Sequence, residues 1–245
     1  SFAVFEYADE PGTEPLTLVA RSAKEVESAI VRPLSSGLVP EVEGREVRIR
    51  VDGPCKLVLE TNGGIEHPLF IVIHRSEEDI PAADDPNTLY FGPGLHLIDK
   101  LALKDDQTLY IAGGAVVRVF VPETEMPIVE SDWAKQKVYE DAIVSDRARN
   151  IAIRGRGILD MSMLPWHARK AIHVRNCSGV LIDGLTIVGA PHWTIHLTES
   201  SDCAIRDILL IGYRENSDGI DIVNSERVEV ADCLIRTGDD AAGVK

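Results

Sequence analysis

"IHVRNCSGVLIDGLTIVGAPHWTIHLTESSDCAIRDILLIGYRENSDGIDI", residues 172–222, decides how this chain folds. Gly184, Asp207 and Asp232 can be set in one column. Leu185, Ile208 and Cys233 follow it, and Ile187, Leu210 and Ile235 come three after it. Ile182, Ile205 and Val230 stand two before it, and Val180, Cys203 and Val228 four before. Twelve before it come Ile172, Ile195 and Ile220, each opening a triplet IHV, IHL or IDI. From 184 to 207 is 23 residues and from 207 to 232 is 25, and the triplets move with the column. The extra residues therefore lie between repeats. A unit of this length, built of short alternating strands, fits no helical period, and the spaced leucines and asparagine of a leucine-rich repeat are missing. A right-handed parallel β-helix fits: coils stack at the ~4.8 Å interstrand spacing and like residues form ladders inside. Cys203 and Cys233 fall on core ladders, and Asn176 and Asn224, eight before the column, on a turn ladder.

Toward the N-terminus, NIAIRGRGILD (150–160) and QTLYIAGGAVV (107–117) keep the alternation and the glycine, so the β-helix is expected over residues 88–245. Residues 1–87 have another texture. LTLVA (16–20), VRIRV (47–51), CKLVLE (55–60) and PLFIVI (68–73) read as short strands. Asp52-Gly53-Pro54 reads as the turn of a hairpin joining 47–51 to 55–60, and Asn62-Gly63-Gly64 as a second turn. SAKEVESAIV (22–31) reads as a helix. The expectation is a small β-sandwich domain over 1–87, ending in the polar, proline-containing stretch 75–87.

Composition narrows the function. Forty acids against 25 bases give a net charge of −15, which argues against nucleic-acid partners and anionic membrane surfaces. No run of 18 apolar residues is present to span a membrane. The start, SFAVFEYADE, lacks the pattern of a signal peptide, so a secreted or periplasmic location is expected only if a signal has been removed, and a cytoplasmic one otherwise. Four cysteines without a C-x-x-C pair suggest neither a zinc site nor a redox motif, and no cofactor or metal is expected. Oligomeric state is not legible.

The segment 216–245, NSDGIDIVNSERVEVADCLIRTGDDAAGVK, carries the acids of interest. In the register above, Lys170, Trp193 and Asp218 are equivalent, and Asp240 falls over Asp218 on the next coil. Asp239 adjoins Asp240 but points differently, because neighbouring strand residues alternate faces. Three carboxylates then gather at one edge. Like charges so close raise at least one proton affinity, and a protonated group beside ionised ones is what acid–base cleavage of an acetal needs. Two blander readings stay open: Asp-Gly and Gly-Asp are common turn dipeptides, and stacked acids also hold calcium.

NSDGIDI followed by GDD resembles the polygalacturonase family, glycoside hydrolase family 28, whose motifs are Asn-Thr-Asp and Gly-Asp-Asp on a right-handed parallel β-helix. GAPHWTIHL (189–197) resembles its Ser-Pro-x-Trp segment, and GRGILD (155–160) its Gly-x-Gly-x-Ile-Asp coil. YFGPGLHLIDKLAL (90–103), with the leading sandwich, is similar to the related dextranase family 49. The resemblance implies an inverting glycoside hydrolase acting on a polysaccharide or oligosaccharide substrate, most simply a pectin-like chain. It implies Asp239 as general acid, Asp218 and Asp240 holding and deprotonating the water, and Asn216 orienting the site. Lys245 falls on a family lysine near the substrate. His192 and Trp193, one coil below Asp218, are candidates for sugar contacts, Trp193 by stacking on a pyranose face. His173 and His196 should point outward and line the cleft or serve structure.

The family's Gly-His-Gly and Arg-x-Lys motifs of the following coils do not occur before Lys245, and GDDAAGVK lacks the usual cysteine, so the β-helix is expected to be truncated at its C-terminal end. Two other functions compete: a non-catalytic β-helix carbohydrate-binding or adhesin scaffold, and a calcium-dependent polysaccharide lyase, for which Lys170, Arg214, Arg236 and Lys245 are the nearby bases.

Overall fold

The computed structural model describes residues 1–7, 14–131 and 136–245. It divides into two units, Ser1–Glu78 and Asp79–Lys245.

In the first unit, strands Phe2–Tyr7, Gly64–Arg75, Cys55–Thr61 and Ala29–Arg32 form one sheet, and Leu16–Arg21, Glu46–Val51 and Glu41–Glu43 another. Val47, Ile49 and Val51 of the second sheet share a buried core with Leu57, Leu59, Ile71 and Ile73 of the first. The hairpin expected across Asp52-Gly53-Pro54 does not form. Glu46–Val51 pairs with Leu16–Arg21 and Glu41–Glu43 instead, so the turn carries the chain from one sheet to the other. Alternation decides this: Val47, Ile49 and Val51 must reach the same core as Leu57 and Leu59, and strands in different sheets face each other across it. The hairpin forms at Asn62-Gly63, both at positive φ (53° and 69°), the pair of angles a two-residue hairpin turn demands. The expected helix over 22–31 is absent as well. Ala29–Arg32 is a strand antiparallel to Cys55–Thr61, and Val26 and Val31 are buried in the same core. Strand pairing and burial of Val26 and Val31 there outweigh the local helix preference of the Ala, Glu and Lys residues.

The second unit is a right-handed parallel β-helix, the hand that parallel crossovers take. Three ladders of six strands run along it. One, called here the site ladder, comprises Leu101–Leu103, Ile143–Asp146, Ile172–Arg175, Ile195–Thr198, Ile220–Val223 and Ala242–Val244. Ile172, Ile195, Ile220 and Ala242 are register partners, as the triplets require. Val180, Cys203 and Val228 share another rung, and so do Ile182, Ile205 and Val230. Ile182, Ile205 and Ile208 are fully buried. Val230 keeps its rung yet is 40% exposed, because Glu226–Ala231 is the last strand of its ladder.

The column Gly184, Asp207, Asp232 has a single backbone explanation. Its φ values are 81°, 55° and 51°, so each of these three coils turns the corner through one residue in the left-handed region. Glycine and aspartate adopt that conformation at low cost. The next corner repeats the device with Asn176, Glu199 and Asn224, at φ 52°, 48° and 46°. These two corners are short and uniform. The third, entering the site ladder, is not: it spans the described residues 120–131 and 136–142, then 161–171, 189–194, 212–219 and 237–241 on successive coils.

Candidate active site

The variable corner holds the acids. The backbone N–H of Thr194 donates to Asp218 O (2.9 Å), and that of Gly219 to Asp240 O (2.8 Å), so Trp193, Asp218 and Asp240 stack on consecutive coils. One carboxylate oxygen from each of Asp218, Asp239 and Asp240 lies within 4.8 Å of the others. Asp218 is 4% exposed, while Asp239 and Asp240 face solvent. Asp239 is held at both oxygens: Oδ2 accepts the Asn216 N–H (3.2 Å) and Oδ1 the Asp240 N–H (3.0 Å). Asn216 therefore touches the site through its backbone, in a left-handed turn at φ 57°. Gly238 makes that turn possible, for a Cβ there would sit 2.2 Å from Arg214 O.

A fourth carboxylate belongs to the site. Asp221 is fully buried, and its Oδ1 accepts a hydrogen bond from Lys245 Nζ at 2.7 Å. The same ammonium lies 3.9 Å from Asp218 Oδ2 and 4.0 Å from the centre of the Trp193 ring. Lys245 thus rests between two carboxylates and an indole face, a cation–π arrangement. Its hydrogen bond to Asp221 holds its pKa above the ordinary lysine value. The sequence placed Asp221 level with His173 and His196 and gave it no role. The signal was there in its outward register directly beside the acids, but only the folded chain brings Lys245 back onto it.

Burial raises the Asp218 carboxyl above the usual range, and the Asp221 and Asp239 charges add to this. Burial also raises Asp221, against the pull of Lys245. Asp218 Oδ1 and Asp221 Oδ2 are buried without a hydrogen-bond partner. A group whose pKa is raised on folding binds its proton more tightly in the native state, so stability falls as pH climbs from the ordinary carboxylate value through the raised one. Asp218→Asn removes that penalty. It is expected to raise the melting temperature at pH 7 relative to the parent, with the gain vanishing near pH 3. Equal or lower melting temperatures at pH 7 would show that Asp218 carries no such penalty.

Below the acids, the outward residues of the site ladder are buried rather than open. His173 and His196 stack at 4.2 Å and are 9% and 7% exposed. They point outward as expected, but Lys170, Trp193 and Asp141 make close contact with them. Asp141 Oδ2 lies 2.6 Å from His173 Nδ1, and burial and the nearby Lys170 and His173 push His196 down to about 3. Trp193 meets His196 edge-on (5.0 Å) and carries Lys245 over its ring. His192 belongs to a neighbouring group: it stacks on His167 (4.8 Å), which lies against Trp166, and its Nδ1 accepts the Trp193 N–H (2.7 Å). Burial and His167 lower its pKa to about 4, so the ring is neutral. The structure brings Asp218, Asp239, Asp240, Asn216, Trp193 and Lys245 into one site and puts His192 at its margin.

Residues 129–245 match the model of glycosyl hydrolases family 28. A probable polygalacturonase of Arabidopsis thaliana is 30% identical over 122 residues, covering 47% of this chain and 26% of that protein. One of Vitis vinifera is 24% identical over 179 residues, covering 64% of this chain and 36% of that protein. The chain thus spans a quarter to a third of these relatives. Among solved structures, a hyperthermoactive exopolygalacturonase of Thermotoga maritima matches with a TM-score of 0.55 at 22% identity, over 64% of this chain and 46% of that one. A family 28 exopolygalacturonase of Yersinia enterocolitica matches with a TM-score of 0.56 at 12% identity, over 93% and 62%. These likenesses bear on the fold.

Proposed function

We propose, from the match of residues 129–245 to the model of glycosyl hydrolases family 28, that the protein is a polygalacturonase-like glycoside hydrolase that cleaves a pectin-like chain with inversion. One observation carries the mechanism: three carboxylates from adjoining coils approach within 4.8 Å, one buried and two facing solvent. Asp239, which faces solvent, gives its proton to the departing glycosidic oxygen. Asp218 and Asp240, stacked one coil apart, grip a water between them and take its proton as it attacks the anomeric carbon. The separation is shorter than the roughly 6.5–9.5 Å usual for an acid and base on opposite faces of an inverting site. That rule presumes one base; a pair holding the water from one side does not need the gap. Lys245 steadies the arrangement by offsetting the charge of Asp218 and Asp221. Because Asp221 keeps it protonated, it is unsuited to act as a lyase's base. The test follows the reducing ends released from polygalacturonate, with NMR of the first-formed anomer. Inversion gives the anomer opposite to the substrate's; retention, or an unsaturated product, overturns the mechanism.

A further inference from the structure

Lys170 stands on the same corner as Trp193, Asp218 and Asp240, two coils below Asp218. At the ~4.8 Å spacing of coils this is about 10 Å along the axis of the β-helix. Its surroundings differ from those of every other lysine near the acids. Its ammonium makes one hydrogen bond, to His196 Nδ1 at 2.9 Å, and lies 5.2 Å from the centre of the Trp193 ring. Among the described residues no carboxylate stands within ion-pair distance of it. Lys245, by contrast, is neutralised by Asp221.

The network behind Lys170 fixes its state. His196 is neutral, with its pKa at about 3, so Nδ1 accepts from Lys170 and Nε2–H donates to Thr198 Oγ1 at 3.0 Å. The Thr198 hydroxyl then donates to His173 Nε2 (3.3 Å), whose Nδ1–H donates to Asp141 (2.6 Å). Every donor in this row finds an acceptor, and the row ends on a carboxylate. Asp141 Oδ1 also accepts the Lys170 backbone N–H (3.1 Å), fixing the base of the side chain. The ammonium is therefore held in place with a single protein acceptor, leaving two of its three N–H groups to be satisfied from outside. Burial lowers the pKa of Lys170, and the charges of Asp141 and Asp221 farther off oppose this. A half-buried, pre-positioned ammonium with no carboxylate in direct contact attracts an anion, and a charge-assisted hydrogen bond is about twice as strong as a neutral one.

We infer that Lys170, held by His196 and the His173–Asp141 pair, binds the carboxylate of a uronic acid residue located on the N-terminal side of the cleavage point. This rests on the reading of the site as a pectin hydrolase. It adds a selectivity: the enzyme should prefer a free acid to its methyl ester at that position, since the ester offers no charge to the half-buried ammonium.

The probes are a trigalacturonate and its fully methyl-esterified form, with direct binding measured by calorimetry so that turnover is not required. Lys170→Gln should weaken binding of the acid about tenfold to a hundredfold, the loss of one charge-assisted hydrogen bond, and change binding of the ester less than twofold. Lys170→Met, which keeps the stem beside Trp193, serves if the amide variant does not fold; melting temperatures decide this. If the parent prefers the acid and both variants prefer it equally, this inference is overturned and the hydrolase reading stands. If the parent binds neither sugar, both fail.

Discussion

Asp239→Asn is expected to abolish turnover of a pectin chain, with kcat falling by about 10²–10⁴-fold or more, the usual worth of one acid–base group. The amide is nearly isosteric, and its oxygen can still accept the N–H of Asn216 or of Asp240. The turn should therefore survive and substrate binding change little. What is lost is the proton for the leaving oxygen. A substrate whose leaving group needs no proton separates this role from the others. With a nitrophenyl galacturonide, Asp239→Asn should recover most of its rate, while Asp218→Asn and Asp240→Asn stay slow because the water is no longer held. On the proposed mechanism Asp218 and Asp240 act as a unit, so their double variant should be little worse than either single one. Near-parental rates on the polymer in Asp239→Asn would end the assignment. Rescue by the nitrophenyl leaving group in Asp218→Asn instead would move the acid's role to Asp218, whose proton affinity is the one raised by burial.

Gly238→Ala is expected to be nearly as damaging, by a different route. A Cβ at this position would meet Arg214 O at 2.2 Å and the carbonyl carbons of Arg214 and Tyr213 at 2.8 Å. These are backbone atoms, and they cannot swing aside as a side-chain tip can. Arg214 is tied down further, its guanidinium donating to Leu164 O (2.7 Å) and Ser162 O (2.8 Å). Relief must therefore come from the coil that bears Asp239 and Asp240. Overpacking of this kind costs about 1–3 kcal/mol in stability, and shifting a carboxylate by about 1 Å can cost 10²-fold in rate. Gly53→Ala is the control, since a Cβ there meets nothing within 4 Å. A Gly238→Ala protein with parental melting temperature and rate would show that the close approach is dispensable.

The register of the β-helix was legible because it rests on repetition. One column of left-handed residues and the triplets twelve before it fixed every rung from Ile172 to Ala242, and Asp218 under Asp240 with them. What the sequence hid were contacts made by long side chains between coils. Lys245 and Asp221 are 24 positions apart and join only when the coil closes. His173 and His196 point outward as alternation requires, but alternation gives direction and not cover, and their burial depends on Lys170, Trp193 and Asp141 arriving from one corner of three successive coils. In the N-terminal unit there is no repeat to anchor the reading. There a turn signal at Asp52-Gly53-Pro54 was mistaken for a hairpin, because a turn dictates that the chain reverses and not which sheet receives it.

The uneven corner has a consequence for how such a molecule can be altered. Register is set at the two uniform corners by single left-handed residues, so the segments 161–171, 189–194, 212–219 and 237–241 are free to differ in length without moving a rung. Those segments carry Lys170, Trp193, Asp218, Asp239 and Asp240. That side of the β-helix is in effect a set of inserts on a fixed spool. A segment transplanted into 161–171 from another parallel β-helix should leave the rungs where they are and, if it keeps the carbonyls that hold Arg214, the acids too, while changing the surface beside them.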